Sequence, residues 1–429
     1  MKNKKIVVHD VWDGWQSLLS IEKLCHAHTG TYIVLDCAKE ARLYMATGIT
    51  ENEDITRQRI VDLRNHNSVN GNTLSVIIGG YKPLPDHYSW SNATLNRHRM
   101  VSDAKMKLPS DNTYTRITDI HDKSFTDVWD LAVLYGLFDN IETWPNFFLT
   151  WQGHKILQGS YNNIGNHHDN YSNLFCLKNR IPKPHRLYLL NELERRDLLK
   201  VNQWSLLDPN DEWEEVMVET LGEQINDWCF THGKKTFSQE VPDQLYRDQP
   251  GEYFRCFMEV VAETFSSVCF YTEKTTCPLL YRKPFLILGA PYINHDLQRM
   301  GFVLYDEVFD YSFDKIEDFR ERSAAFADEL LRLQNLKLDY KQVYIKLLPK
   351  LEHNLARVLK LMYHDEYMPR IVREYGEQMF NESFAFDPLG RTGWNVFVDN
   401  GNCRNQPAVD LIRKNKYLLS LLHKNYNIT

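Results

Sequence analysis

Short apolar runs bounded by turn-forming residues alternate along this chain with longer stretches in which apolar residues recur every third or fourth position. The runs at 5–8, 31–35 and 73–78 in the first part of the chain have the length and β-branched content of strands. So do those at 173–177, 256–262 and 285–288 further on. The aromatic stretch 144–151 reads as one more strand. Between them, apolar spacing predicts helices at 38–45, at 126–138, after 184 (Leu187, Leu190 and Leu193 on one face) and across 208–227. A capping-box pattern, Asp314 with Glu317 three positions on, marks the start of a long helix reaching to about Leu336. From 338 the text is helical to about Glu377, then looser and polar between Gly390 and Pro407. Strands that alternate with helices predict an α/β architecture with a largely parallel sheet.

One break divides the pattern. Residues 153–173 are rich in Gly, Asn and His, including His167, His168 and Asp169, and they read as a polar interdomain connection rather than a metal site. The expected organisation is therefore a first α/β domain over 1–165, a second over 166–336 and a mainly helical extension over 337–429. With 429 residues the chain is long for a single core, so more than one domain is expected on length alone.

Composition narrows the classes. Apolar residues make up 43% and aromatic residues 13%, which places the chain among folded globular proteins. A net charge of −7 argues against broad adhesion to nucleic acid, while leaving room for a local basic groove at Arg97 and Arg99 or along the basic, aromatic segment 337–367. The eight cysteines are scattered with no Cys-x-x-Cys pair, and several sit inside apolar runs, as buried thiols do in a reducing compartment. No apolar run is long enough to span a membrane, so a cytoplasmic protein is expected.

The chemistry is narrowed first by what the motifs exclude. There is no phosphate-cradling GxxxxGK[ST] loop, no HExxH and no GxSxG, and no two aspartates stand in Asp-x-Asp spacing. Any phosphate or sugar chemistry would then rest on basic side chains and helix ends, with no metal and no resident cofactor. Two stretches supply those parts. In 271–289, Thr272 reads as the N-cap of a helix of about two turns, with Glu273 and Lys274 in its first turn. Lys283 and Pro284 stop that helix, and a buried strand runs to Gly289. In 178–186, a basic loop with Lys178, Arg180, Lys183 and Arg186 follows a strand and leads into a helix with Pro184 near its first position. Both stretches follow strands, where open α/β sheets bind ligands.

Glu263, Phe270–Lys274 and the run from Lys283 to Gly289 together resemble the donor-site signature of fucosyltransferase-like and exostosin-like glycosyltransferases. In those families an aromatic-x-Thr/Ser-Glu-Lys run opens a helix and a Pro-aliphatic-Gly strand follows. The match is closer to glycosyltransferase-like proteins of tailed phages. It extends there to Asn179 and Arg180 with His185 and Arg186, and to Gly301, Phe302, Asp310, Asp314 and Ile316. The resemblance covers about 174–322. It implies a GT-B fold of two Rossmann-like domains facing across a cleft, with a nucleotide-sugar held by the second.

On that resemblance, Glu273 would accept from ribose hydroxyls while Lys274 and Arg186 neutralise a departing diphosphate, with Thr272, Arg180 and Glu263 completing the donor site. The acceptor's base would come from the first domain, with Asp10 and then Asp13 as candidates just past the first strand. The implied activity is metal-independent transfer of a sugar from a nucleotide-diphosphate donor to a hydroxyl of a glycan, a protein or modified DNA. A narrower alternative is a phage enzyme glycosylating hydroxymethylated bases in the host cytoplasm, with Arg97 and Arg99 meeting phosphates. An alternative of another class is a non-catalytic protein that keeps a nucleotide-sugar fold.

Overall fold

A computed structural model describes residues 5–10, 30–36, 62–63, 65–79, 81–82, 140–144, 156–157, 170–179, 183–206, 249, 251–264, 266, 269–367, 396–399 and 402–428. The chain forms two compact units, one of residues 1–147 with 365–404 and one of residues 148–364 with 405–429. Each contains a four-stranded parallel sheet, so the α/β class follows from the alternation of strands and helices.

In the first unit the strands are β1 (Lys5–Asp10), β2 (Gly30–Asp36), β3 (Thr73–Gly79) and β4 (Asn140–Trp144), paired in that spatial order. The apolar pattern does not predict the fourth strand; of the strand expected over 144–151, only Trp144, the last residue of β4, is among the described residues. The helices expected at 38–45, 126–138 and 208–227 lie outside the described residues.

The second unit carries β5 (Asn173–Asn179), β6 (Gln203–Leu206), β7 (Cys256–Ala262) and β8 (Phe285–Leu288). Their spatial order is β8-β7-β5-β6. The chain therefore steps one way from β5 to β6, then back past β5 to lay down β7 and β8. Every residue of β7 and β8 is buried, as expected of parallel strands covered on both faces. Helix α1 (Pro184–Arg195) follows β5, with Leu187, Leu190 and Leu193 buried on its inner face. After the short α2 (Leu198–Val201) and α3 (Gly251–Phe254), helix α4 (Glu273–Leu280) links β7 to β8, and α5 (Ile293–Arg299) follows β8.

Helix α6 (Phe319–Asn335) packs on α1 and buries Phe326, Ala327, Leu330 and Leu333. Its start corrects the capping-box reading. Asp318, not Asp314, caps it, accepting from the backbone N–H of Arg320 and Glu321, and residues 312–315 form a separate 3₁₀ turn. The spacing Asp-x-x-Glu occurs twice in succession here, and only the second instance opens the helix.

Helix α7 (Tyr340–Tyr363) packs on α4, and α8 (Gln406–Lys414) and α9 (Lys416–Tyr426) pack on α7. The segment expected as an extension thus supplies helices to the second unit, and helix resumes at Gln406, before Pro407. Strands β9 (Val396–Asp399) and β10 (Asn402–Asn405) form a separate pair. Among the described residues no helix is long and apolar enough to cross a membrane.

Under α4 lies a buried polar cluster. The Lys178 ammonium, on β5, is 3.0 Å from the Glu259 carboxylate on β7, donates to Gln249 and sits 4.5 Å over the Tyr253 ring. Tyr253 donates to Glu259 at 2.7 Å, and Lys283 approaches the same ring from its own side while donating to the Cys256 carbonyl. Burial lowers the Lys283 pKa from its ordinary value. Lys178 therefore departs from the expectation of a basic loop. It is a strand residue, ion-paired in the core.

Candidate functional site

In a parallel sheet whose strand order reverses, the loops leaving the two strands at the reversal diverge to opposite faces and open a crevice at their carboxyl ends. Here that point falls between β5 and β7, at Asn179 and Glu263.

Glu263 organises the β7 side. Fully buried, its carboxylate accepts four hydrogen bonds: from the Thr272 N–H (3.0 Å), the Thr272 hydroxyl (2.7 Å), the Thr275 hydroxyl (2.6 Å) and the Thr264 N–H (3.2 Å). Hydrogen bonds to a charged group are worth about 1.5–3 kcal/mol each, so the carboxylate is held firmly in place. These bonds fasten the start of α4 to the end of β7. Glu263 therefore acts on the site by fixing Thr272 and, through it, the first turn of α4.

Gly289, just past β8, makes room for this arrangement. A Cβ there would stand 3.5 Å from the Glu263 Cβ and 2.7 Å from an Ile293 methyl. Thr272 is the N-cap that its sequence position suggests, its side chain accepting from the Lys274 N–H. Glu273 and Lys274 come next in the first turn as a partly buried pair, 3.0 Å apart. The Lys274 ammonium also donates to the hydroxyls of Thr264 and Thr272. It is thus drawn back over the carboxyl end of β7 rather than left in solvent. Helix α4 closes in a Schellman turn, with Arg282 in the left-handed region (φ 52°) and Lys283 donating to the Pro278 carbonyl.

The β5 side meets it at one atom. Pro184 in the first turn of α1 leaves Lys183 as the flanking residue, so His185 and Arg186 fall in that turn. Both are buried, and both reach the Glu263 backbone carbonyl: His185 Nε2 donates at 2.8 Å and Arg186 Nη2 at 3.2 Å. Arg186, expected in the donor site, is therefore brought to the end of β7 together with His185, next to the turn that carries Glu273 and Lys274.

Asn179 is the residue that sequence reasoning does not select as a site residue. It ends β5, is only 1% exposed, and neither the nitrogen nor the oxygen of its side-chain amide has a hydrogen-bond partner. Buried amides are nearly always paired, and an unpaired one costs about 1–3 kcal/mol. Its place beside the strand reversal makes this amide a candidate binding group. The residue's signals in the sequence are its place at the end of a strand, before a basic loop, and its part in the phage-like pattern with Arg180, His185 and Arg186.

Of the other expected residues, Asp10 is the last residue of β1, at the carboxyl edge of the first sheet, opposite Leu35. Asp13, Arg97, Arg99 and Arg180 lie outside the described residues, as do His167, His168 and Asp169. Among the described residues no group of His, Cys, Asp and Glu is arranged to hold a metal. The described cysteines, Cys176, Cys256, Cys269 and Cys277, are free and buried, and burial pushes the Cys277 thiol up to about 12. Comparison with protein-family models, with curated proteins and with solved structures found no match to this chain.

Proposed function

We propose that the chain is a metal-independent glycosyltransferase of GT-B type that binds a nucleotide-diphosphate sugar on its second unit. The observation that carries this reading is the convergence at the β5/β7 reversal. The Arg186 and Lys274 cations, the His185 imidazole, the Glu273 carboxylate and the buried Asn179 amide gather at the carboxyl edge of a parallel sheet. The cations suit a diphosphate, a carboxylate suits ribose hydroxyls, and an amide suits a polar group that both donates and accepts. Fixed cations beside a departing diphosphate would stabilise the charge that develops on it. The resemblance of the Thr272–Lys274 turn and the strand after it to glycosyltransferase donor sites points the same way. In this reading Asp10, at the carboxyl edge of the first sheet, is the candidate base for the acceptor hydroxyl.

The test is ligand-induced stabilisation of the full chain by UDP, GDP, CMP and their sugar conjugates, followed by calorimetry. At least one nucleotide-diphosphate should raise the unfolding temperature. Lys274→Ala should weaken that ligand about tenfold or more, as expected for a lost charge-assisted contact. A chain that no nucleotide stabilises would overturn the donor site. One that binds nucleotide but neither hydrolyses nor transfers the sugar would be a binding protein on the same fold.

A further inference from the structure

A second polar site lies on the same unit, at an open cavity of about 710 Å³ between α5, the 304–312 loop and α6. One wall is His295 in the first turn of α5. Its Nδ1 is 2.7 Å from a carboxylate oxygen of Asp314, which also accepts from the His295 backbone N–H at 3.1 Å. The other oxygen of Asp314 accepts from the Asn294 side-chain amide (2.8 Å) and its backbone N–H (3.3 Å). Asp314 is 1% exposed, with both oxygens engaged, whereas the His295 side chain is 30% exposed.

A carboxylate can only accept here, so Nδ1 carries a hydrogen and the exposed ring edge carries Nε2 with its lone pair when the ring is neutral. The rings of Tyr292 and Tyr311 flank the imidazole edge-on, at 6.3 and 6.5 Å. Tautomer and orientation are therefore both set by the protein, and Nε2 is presented to the cavity.

The charges around the cavity are largely compensated before any ligand arrives. Lys350 pairs with both Asp306 and Glu307, and Arg332 pairs with Glu329 while donating to the Val308 carbonyl. Asp306, Glu307, Asp310, Asp314 and Glu329 outnumber Lys315, Arg332 and Lys350, so the field of the site disfavours an anion. What remains facing the space is a mixed set of donors and acceptors: His295, Gln298, Asp310, Ser312 and Lys315. Asp310 uses one carboxylate oxygen to accept from the Ser312 N–H, which holds the loop in shape. Alternating donors and acceptors suit hydroxyl groups, each of which both donates and accepts.

From this geometry we infer that the cavity binds a neutral polyhydroxylated ligand of saccharide type, one of whose hydroxyls donates to His295 Nε2. His295 lies in the first turn of α5, the helix that follows β8 in the unit that carries Asn179 and Glu263. The Tyr271 hydroxyl ties α5 to the segment leading into α4, its single proton shared between the Ile293 carbonyl and the Asp296 carboxylate. Resting on the glycosyltransferase reading, this would be where the acceptor sugar lies. The binding inference itself does not need that reading.

The experiment is long-range proton–nitrogen NMR on full-length chain with ¹⁵N-labelled histidine, the His295 ring signals being identified by their loss in His295→Gln. Glucose, galactose, N-acetylglucosamine and cellobiose are titrated to high millimolar concentration, with inorganic phosphate as the ionic probe. At least one saccharide should move the Nε2 signal saturably, by more than phosphate does. Asp314→Asn, if folded, should diminish that response by freeing the ring. If no saccharide moves the signal, or phosphate moves it most, the inference is overturned. Nucleotide-induced stabilisation of the unmodified chain reports the donor site separately, so either reading can fail while the other stands.

Discussion

Replacing Asn179 with leucine separates a binding role from a structural one. The two side chains have the same branched shape, so the substitution removes both polar atoms and little else. In the native chain the amide nitrogen and oxygen are buried without partners. Each such group costs about 1–3 kcal/mol relative to its hydrated state. Slightly larger methyl groups in a packed strand end take back part of the gain, since overpacking costs about 1–3 kcal/mol in its own right. The net expectation is a gain of about 1–3 kcal/mol. At about 2–4 °C per kcal/mol for a unit of 150–250 residues, the unfolding temperature should rise by several degrees. Binding should move the other way. Losing one or two hydrogen bonds to a nucleotide should weaken it about tenfold or more, and the stabilisation that ligand confers should shrink accordingly. Urea unfolding and thermal denaturation, each with and without nucleotide, measure both quantities on one sample. If Asn179→Leu lowers stability, the amide is paired in solution and the argument from its burial fails. If stability rises but nucleotide affinity is unchanged, the amide does not touch the ligand.

Three further outcomes are expected from the same geometry. Glu263→Gln places an amide NH₂ against donors from Thr264, Thr272 and Thr275, and should cost about 2–4 kcal/mol in urea unfolding while weakening nucleotide binding; an unchanged midpoint would show that α4 is not fastened through this carboxylate. Lys283→Met should raise stability at neutral pH, because burial lowers the Lys283 pKa and the folded chain bears that charge at a cost amid Glu259, Lys178, Tyr253, Cys176 and Cys256. Between the lowered pKa and about 10.4 the unfolded chain binds the extra proton, so native stability rises with pH there and the variant's advantage should shrink; a constant difference across alkaline pH would contradict this. Lys337→Gly, at an exposed position with φ 46° after α6, should add about 0.5–1 kcal/mol by relieving the left-handed strain, as read from the thermal midpoint.

The parts of the fold legible from sequence are those set by local patterns. The apolar runs 256–262 and 285–288 are the strands β7 and β8 to the residue, and Thr272 caps α4 from the position its hydroxyl predicts. Legibility fails where a local pattern has two valid readings. Asp314 and Asp318 both stand three residues before a glutamate. Tertiary contact decides between them, because the Asp314 carboxylate is taken by Asn294 and His295 from a helix about twenty residues earlier in the chain. The same long-range pairing hides His295, which nothing in its own neighbourhood distinguishes.

The candidate site shows the same division at the scale of one bond. Lys178 and Asn179 are adjacent in a strand, and strand side chains alternate between faces. One therefore reaches Glu259 and the polar cluster under α4, while the other turns to the opposite face at the strand reversal. In a half-exposed strand, alternating polarity would have shown which was which. In β5 both faces are covered, so polarity carries no face signal and a basic residue beside an amide reads as the start of a loop. Charge draws the sequence reading to Lys178 as part of the ligand-binding loop. The structure gives that lysine a carboxylate partner and leaves the neutral amide next to it unpaired at the reversal. Of the two, Asn179 is the group with hydrogen-bonding capacity left for a ligand.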